Sequence, residues 1–276
     1  MRVAVVVPCF DDGGTLDETL DSLRLQEPHE LVVVDDGSTD PGTLAVMDRL
    51  RAAGVRVVRQ ENAGLSAARM AGVAATTAPY VLPLDADDAL EPDALASLAD
   101  ALDHDSGAAL AWGDVTVFGD LDYRLAPRRV LDPWWITYAN GIPVTSMIRR
   151  DALLEAGGWA MGSGYEDWDL WMSFAERGYR GVYVARPVQR YRRHGVRMLG
   201  ETIARRDELL ALLRARHPGL FARRSRTWRT SRAPWRSRLL LPLVHRLPLS
   251  TASRHRLTLF VDHPVEILRL RRLRRA

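Results

Sequence analysis

Three carboxylates stand within four residues in Asp85-Ala86-Asp87-Asp88, directly after the apolar run Tyr80-Val81-Leu82-Pro83-Leu84. If residues 80–84 form a buried strand, the carboxylates sit at its C-terminal end, where open α/β sheets bind ligands. Side chains alternate along an extended chain, so Asp85 and Asp87 can point the same way. Such close negative charges repel unless a cation or hydrogen-bond donors compensate. A hard divalent ion with oxygen ligands, Mg²⁺ or Mn²⁺, suits them, shared with substrate phosphates. The competing reading is an acidic turn before a helix, with Asp88 or Glu91 as cap and Pro92 near the helix start.

The elements that must position this cluster follow from periodicity. Arg2 to Val7 is a β-branched run leading into Pro8-Cys9-Phe10, and Asp11-Asp12-Gly13-Gly14 is the loop after it. Helical spacing over 15–27 puts Leu16, Leu20 and Leu23 on one face, with Thr15 and Glu18 as a capping box. Strands are predicted at Glu30 to Val34 and Val55 to Val58, and helices at Leu44 to Ala53 and Asn62 to Ala75. The alternation of strand and helix through the first ninety residues means a parallel sheet with crossover helices. Pro83 must lie where its missing N–H is harmless. No Gly-x-Gly-x-x-Gly follows the first strand, which excludes a dinucleotide fingerprint. Beyond the cluster come a helix over 93–102, a strand over 108–118, a hairpin or loop over 119–129 and a strand over 142–149. A short helix over 151–155, a helix over 166–177 capped by Gly178, and a last strand over 181–185 complete the reading.

Composition divides the chain. Of its 276 residues, the first 200 hold 19 Arg and 30 Asp plus Glu, and the last 76 hold 19 Arg and 5 acids. There is no lysine. The single cysteine, Cys9, excludes an internal disulfide and suits a reducing cytoplasm. The opening Met1 to Pro8 reads as a first strand rather than a signal peptide. No stretch reaches the roughly 18 apolar residues of a membrane span.

Five blocks, in order, resemble the inverting family 2 glycosyltransferases. They are Val5 to Phe10; Val33-Val34-Asp35-Asp36-Gly37-Ser38-Thr39-Asp40; Asn62 to Arg69; Asp85 to Asp88; and Gly157-Gly158-Trp159 followed by Glu166-Asp167-Trp168-Asp169-Leu170-Trp171. The resemblance covers roughly residues 1–195. It implies an α/β GT-A fold: a mixed, mainly parallel sheet flanked by helices. Residues 1–200 would form the glycosyltransferase domain, with 1–104 as nucleotide-sugar-binding half and 105–200 as acceptor half, followed by a basic helical extension over 201–276. The implied activity is hexosyl transfer from a nucleoside-diphosphate-sugar to an acceptor hydroxyl, with inversion and a divalent metal, in cell-envelope polysaccharide or glycolipid synthesis. At matching positions Pro8, Cys9, Phe10, Asp11, Asp36, Asn62, Gly64, Arg69, Asp85, Ala86 and Asp87 border the nucleotide-sugar. Asp87, with Asp85, holds the metal, and His194 is an additional candidate ligand. Asp167 corresponds to the general base. Trp159, Glu166, Trp168 and Asp88 lie toward the acceptor.

Each role has a structural rival. Asp35 and Asp36 could close an Asx turn. Arg69 could pair with a body carboxylate, and Glu166 and Asp167 could be ordinary first-turn acids. Trp168 and Trp171, three apart on a helix, could both be core. A metal-dependent nucleotidyltransferase would place a basic, Gly-rich loop after the first strand, where this chain has an acidic one. A catalytically silent sugar-nucleotide-binding module would not need both the Asp85–Asp87 pair and Asp167. Interleaved Trp, Leu and Arg from Arg223 onward suit an anionic membrane interface, so a peripheral location at the inner face of the membrane and a glycan or lipid-linked acceptor are expected. Packing of the same tail on the acidic body is the alternative, and nucleic acid is a third partner for any Arg-rich segment.

Overall fold

A computed structural model describes residues 1–120, 122–162, 164–193 and 205–262. Its centre is β1 (Val3–Cys9), a valine-rich strand buried along its whole length. Burial on both faces is why it reads as a continuous apolar run. β1 pairs in parallel with β2 (Glu30–Asp35) and with β4 (Tyr80–Pro83), and β2 pairs in parallel with β3 (Arg56–Arg59). Helices α1 (Gly13–Leu23), α2 (Pro41–Ala52) and α3 (Leu65–Ala74) make the crossovers. The second half adds β5 (Ala89–Leu90), β6 (Ala108–Gly119), β7 (Tyr123–Leu125), β8 (Met147–Arg149) and β9 (Arg180–Arg193), with α4 (Ala94–His104), α5 (Arg150–Glu155) and α6 (Glu166–Arg177). Among the described residues one mixed nine-stranded sheet results, in the order β3-β2-β1-β4-β8-β6-β9-β5, with β7 on β6. This is the expected mixed α/β architecture flanked by helices.

The pleat sorts the core into two layers. Val6, Val32, Val34 and Val81 face one side, where they meet α3 and α6. Val3, Val5, Val7, Val33 and Leu82 face the other, against α1, α2 and α4. Arg69 of α3 and the acids of α6 therefore stand on the same side of the sheet.

Several local expectations are corrected. Thr15 is not the cap of α1: the helix begins at Gly13 after Asp12, and the Thr15 hydroxyl donates to the Ala86 carbonyl at 3.0 Å. Glu18 pairs with Arg192 instead of closing a capping box. The strand over 142–149 shortens to Met147–Arg149. The last strand is longer than its apolar part, running from Arg180 to Arg193 and parallel to β6 with register shifts. Its Arg-rich end carries no apolar alternation, so backbone pairing alone made it a strand. Pro83 faces Val6 of β1, and Leu84 N donates to Val6 O at 3.0 Å. The proline nitrogen thus turns to the β8 side, where pairing has already ended at Val81.

The basic tail folds back on the body as helices Arg206–Arg216, Pro218–Ala222, Arg224–Thr230, Trp235–Arg246 and Thr251–Asp262. Leu209, Leu210, Leu213 and Leu220 join the core layer under α6. Leu241, Val244 and Val261 close over Trp134, Trp135 and Tyr138. Among the described residues no helix is long and apolar enough to cross a membrane.

Candidate active site

The loops after β1, β2 and β4 meet at the C-terminal edge of the parallel strands. Asp11, with φ of 50°, turns back to accept from Thr39 N at 2.7 Å and Asp40 N at 2.8 Å. Those backbone donors hold its carboxyl below the usual range. Asp35 is buried, accepts from Ser38 N at 2.9 Å and pairs with Arg59 at 2.6 Å. Asp36 binds the loop that leads into α3: Oδ1 accepts from Gln60 Nε2 at 2.7 Å and Ala63 N at 2.9 Å, and Oδ2 from Gly64 N at 2.9 Å. Its carboxylate orders the Asn62–Gly64 turn, and exposed Asn62 stands at the rim. Gly64 has a φ of 87°, in the left-handed region that favours glycine. Pro8 and Cys9 lie within buried β1, and burial pushes the Cys9 thiol up to about 11, which removes it as a nucleophile. Phe10 is half exposed beside them.

Arg69 ties this donor-side edge to α6. Its guanidinium is buried, with Nη2 2.8 Å from Asp85 Oδ1 and Nη1 2.9 Å from Glu166 Oε1. Burial opposes the charge, but Asp85 and Glu166 outweigh it, so the pKa is raised. Asp85 and Glu166 are thus held on one cation, and Asp167 follows directly. The turn into α6 uses Tyr165 at φ of 61°, a left-handed conformation that costs a non-glycine residue about 1–3 kcal/mol. The neighbouring loop is braced by Ser66 Oγ, which donates to Met161 O at 2.6 Å.

Asp167 keeps part of its surface open but is walled by protein. Oδ1 accepts from Trp168 N at 2.7 Å and Oδ2 from Asn140 Nδ2 at 2.6 Å. Burial, then the charge of Glu166, raises its pKa to about 7. A carboxylate poised near neutrality suits general-base work. Asn140 was not legible as a site residue; a lone Asn before Gly141 in a loop reads only as a turn.

The carboxylates after β4 play different parts. Asp88 is buried and ties the loop to β9, accepting from Gln189 Nε2 at 2.7 Å and Arg192 N at 2.9 Å. Burial and the charges of Asp85 and Asp87 push its pKa well up. Asp88 therefore serves β9, through one side-chain and one backbone donor, rather than an acceptor. The Ala86 carbonyl accepts from Thr15 and Thr19, and the Asp87 carbonyl from Arg192 Nε at 2.9 Å. Asp85 and Asp87 are part-exposed. No group of three or more His, Cys, Asp or Glu able to hold a metal gathers among the described residues. Two hard carboxylates, whose charge already disturbs Asp88, fit a divalent cation that takes its other ligands from phosphates rather than from a closed protein cage. His194 lies outside the described residues.

The tryptophans correct the acceptor expectation. Trp168 is 2% exposed, and its indole N–H donates to Ile136 O at 2.7 Å. Trp159 is 3% exposed, with the Arg69 guanidinium 5.7 Å from its ring centre. Neither offers a face to a sugar; both wall the Arg69 and Asp167 region from behind.

Residues 4–161 match the family model described as Glycosyl transferase family 2. The chain belongs to glycosyltransferase family 2. An uncharacterised glycosyltransferase of Mycobacterium bovis is 32% identical over 187 residues, which span 65% of this chain and 82% of its own length. An N-acetylglucosaminyltransferase of Bradyrhizobium diazoefficiens is 32% identical over 120 residues, 41% of this chain and 24% of its own. The S. aureus TarS 1–349 structure in complex with UDP-GlcNAc superposes with a TM-score of 0.61 at 18% identity, covering 94% of this chain and 70% of that one. That likeness is one of fold, and it extends past the family match into the tail.

In this glycosyltransferase the tail docks on the helix that bears Asp167. Asp169, buried one residue beyond Trp168, accepts from Arg216 Nε at 2.6 Å and lies 2.9 Å from His217 Nε2. Its carboxyl is held below the usual range by those two partners, which outweigh its burial. Glu176 accepts from Leu220 N at 3.0 Å. Arg206 donates to the Tyr165 hydroxyl at 2.7 Å. Arg224 donates to Thr137 Oγ1 at 2.8 Å and to Thr137 O at 2.7 Å. The first part of the tail thus packs on the acidic body, the alternative to a wholly membrane-facing segment.

Proposed function

We infer that this glycosyltransferase moves a sugar from a nucleoside-diphosphate-sugar donor to an acceptor hydroxyl with inversion at the anomeric carbon. The observation that carries the reading is Asp167: a partly open carboxylate with its pKa raised to about 7, oriented by Asn140, next to a cation that also holds Asp85. Asp167 takes the acceptor proton as the hydroxyl attacks. Asn140 holds Oδ2, which leaves the remaining lone pairs for that proton. Phe10 and the 62–64 turn border the base, with Asp36 acting through that turn. Asp87 and Asp85 would hold Mg²⁺ or Mn²⁺, which supplies positive charge against the diphosphate as it leaves. Arg69 keeps Asp85 in place. The solved TarS complex contains UDP-GlcNAc, and the Bradyrhizobium relative is named an N-acetylglucosaminyltransferase, so UDP-GlcNAc is the first donor to test.

A glycan or lipid-linked acceptor at an anionic membrane surface suits the outer face of the tail. In helix Trp235–Arg246, Ser237, Leu241 and Val244 are buried, whereas Trp235, Leu239, Leu240 and Leu243 are exposed on the opposite side. Arg residues flank that stripe, as in helices that lie in a membrane interface.

The test is calorimetric titration with UDP-GlcNAc and other nucleoside-diphosphate-sugars, with Mn²⁺ and with chelator. Metal-dependent binding of one of them is expected. No binding of any would overturn the donor reading.

A further inference from the structure

A cavity of about 310 Å³ opens between the segment after β7 and the tail, lined among others by Arg128, Arg129, Val130, Trp135, Arg232 and Pro234. Body and tail both contribute, so it exists only because the tail docks. The Arg128 guanidinium lies 4.6 Å from the Trp135 ring centre, and that of Arg129 lies 5.3 Å from the Tyr183 ring centre. Both are held in place by stacking. Arg129 and Arg232 are exposed, and neither forms an ion pair among the described residues.

Asp132 is the acid in the wall, and its carboxylate is already used. Oδ1 accepts from Trp134 N and Trp135 N, each at 2.9 Å, and Oδ2 from Ser231 Oγ at 2.8 Å and Arg232 N at 2.7 Å. It fastens the tail to the body, and with its lone pairs spent it does not neutralise Arg129 or Arg232.

The cavity wall is linked to the proposed base through one loop. Arg128 N donates to Gly141 O at 2.9 Å. Gly141 follows Asn140, which orients Asp167. Trp135 of the cavity wall and Asn140, which orients Asp167, thus belong to one segment of chain.

We propose that this cavity binds a phosphate carried by the acceptor. The inference rests on the glycosyltransferase reading of Asp167. Guanidinium groups recognise phosphate through paired, charge-assisted hydrogen bonds. A wall of Trp135 and several arginines suits a phosphorylated polyol or a lipid phosphate better than a neutral sugar. It also gives the tail a part in acceptor choice, which the family core alone would lack.

The full chain is titrated with glycerol 1-phosphate and with glycerol, and sedimented with phosphatidylglycerol vesicles. Each measurement is repeated on the R129A/R232A double variant, with UDP-GlcNAc binding measured for both proteins. Glycerol 1-phosphate is expected to bind, glycerol not, and the double variant to bind the phosphate about tenfold more weakly or less. UDP-GlcNAc affinity stays the same in both. If only vesicle binding drops in the variant, the phosphate is a lipid headgroup. Equal binding of both probes by the two proteins overturns the proposal, as does failure of the wild-type chain to bind either. Absent UDP-GlcNAc binding with intact phosphate binding would count against the donor assignment and leave the cavity assigned.

Discussion

Arg69 donates from Nη1 to Glu166 Oε1 at 2.9 Å across 97 residues of chain. The same guanidinium holds Asp85, so one buried cation joins a donor-side carboxylate to the helix that carries Asp167. Replacing Arg69 by Ala leaves carboxylates facing one another without compensation. Breaking a buried pair costs about 3–5 kcal/mol. Urea unfolding should report a loss of that size, together with weakened donor binding. A midpoint within the error of wild type would show that the bridge does not support the site.

Asp167→Asn removes the base and keeps the shape. Transfer should fall by about 10²–10⁴-fold, while donor affinity is retained. Comparable transfer rates in the two proteins would take Asp167 out of the mechanism.

The raised pKa of Asp167 has two consequences for pH. Transfer needs the ionised form, so kcat/KM should rise with pH through about 7. Stability runs the other way. The folded state holds this proton more tightly than the unfolded chain, whose aspartates titrate near 3.9. The contribution is present below that value and is lost as pH rises through about 7. Asp167→Asn should therefore melt no lower than wild type at pH ~8. A rate profile flat between pH ~5 and ~8 would contradict the assignment.

Chelation tests the pair after β4. EDTA should weaken UDP-sugar binding, and Mn²⁺ or Mg²⁺ should restore it. Asp87→Ala should make binding insensitive to metal. Full affinity in EDTA would remove the metal from donor binding.

Asp169 joins α6 to the tail through Arg216 and His217. Asp169→Leu should destabilise the chain by about 2–4 kcal/mol and release the tail to limited proteolysis. Tail resistance equal to wild type would show that the leucine contacts alone suffice.

The exposed stripe of helix Trp235–Arg246 predicts binding to anionic vesicles. Leu239→Ser together with Leu243→Ser should weaken sedimentation with phosphatidylglycerol vesicles and leave UDP-GlcNAc affinity unchanged. Each buried leucine is worth about 1.5–3 kcal/mol, so the double change should be large. Unchanged sedimentation would assign the stripe to another surface.

The sequence by itself determined the strands and helices of the parallel half, the loop after β4 with its carboxylates, and the order of the family blocks. These are local: β-branched runs, helical spacing and turn residues act over a few positions, and a buried strand has little other way to read. Tertiary structure alone decided the partners. Nothing near Asp36 announces that its oxygens go to Gln60, Ala63 and Gly64, nor near Asp88 that it serves Gln189 and Arg192. Trp168 lost its expected acceptor face because its indole N–H turns to Ile136 O and Tyr165 and Arg206 lie against its ring. Asn140 and Asp167 lie 27 residues apart and meet only through packing. The Arg-rich tail could have faced lipid throughout; Asp169 and Asp132 drew part of it onto the body, because buried carboxylates need donors and the tail supplies them. Periodicity reports which face is apolar, but not which distant charge will be opposite.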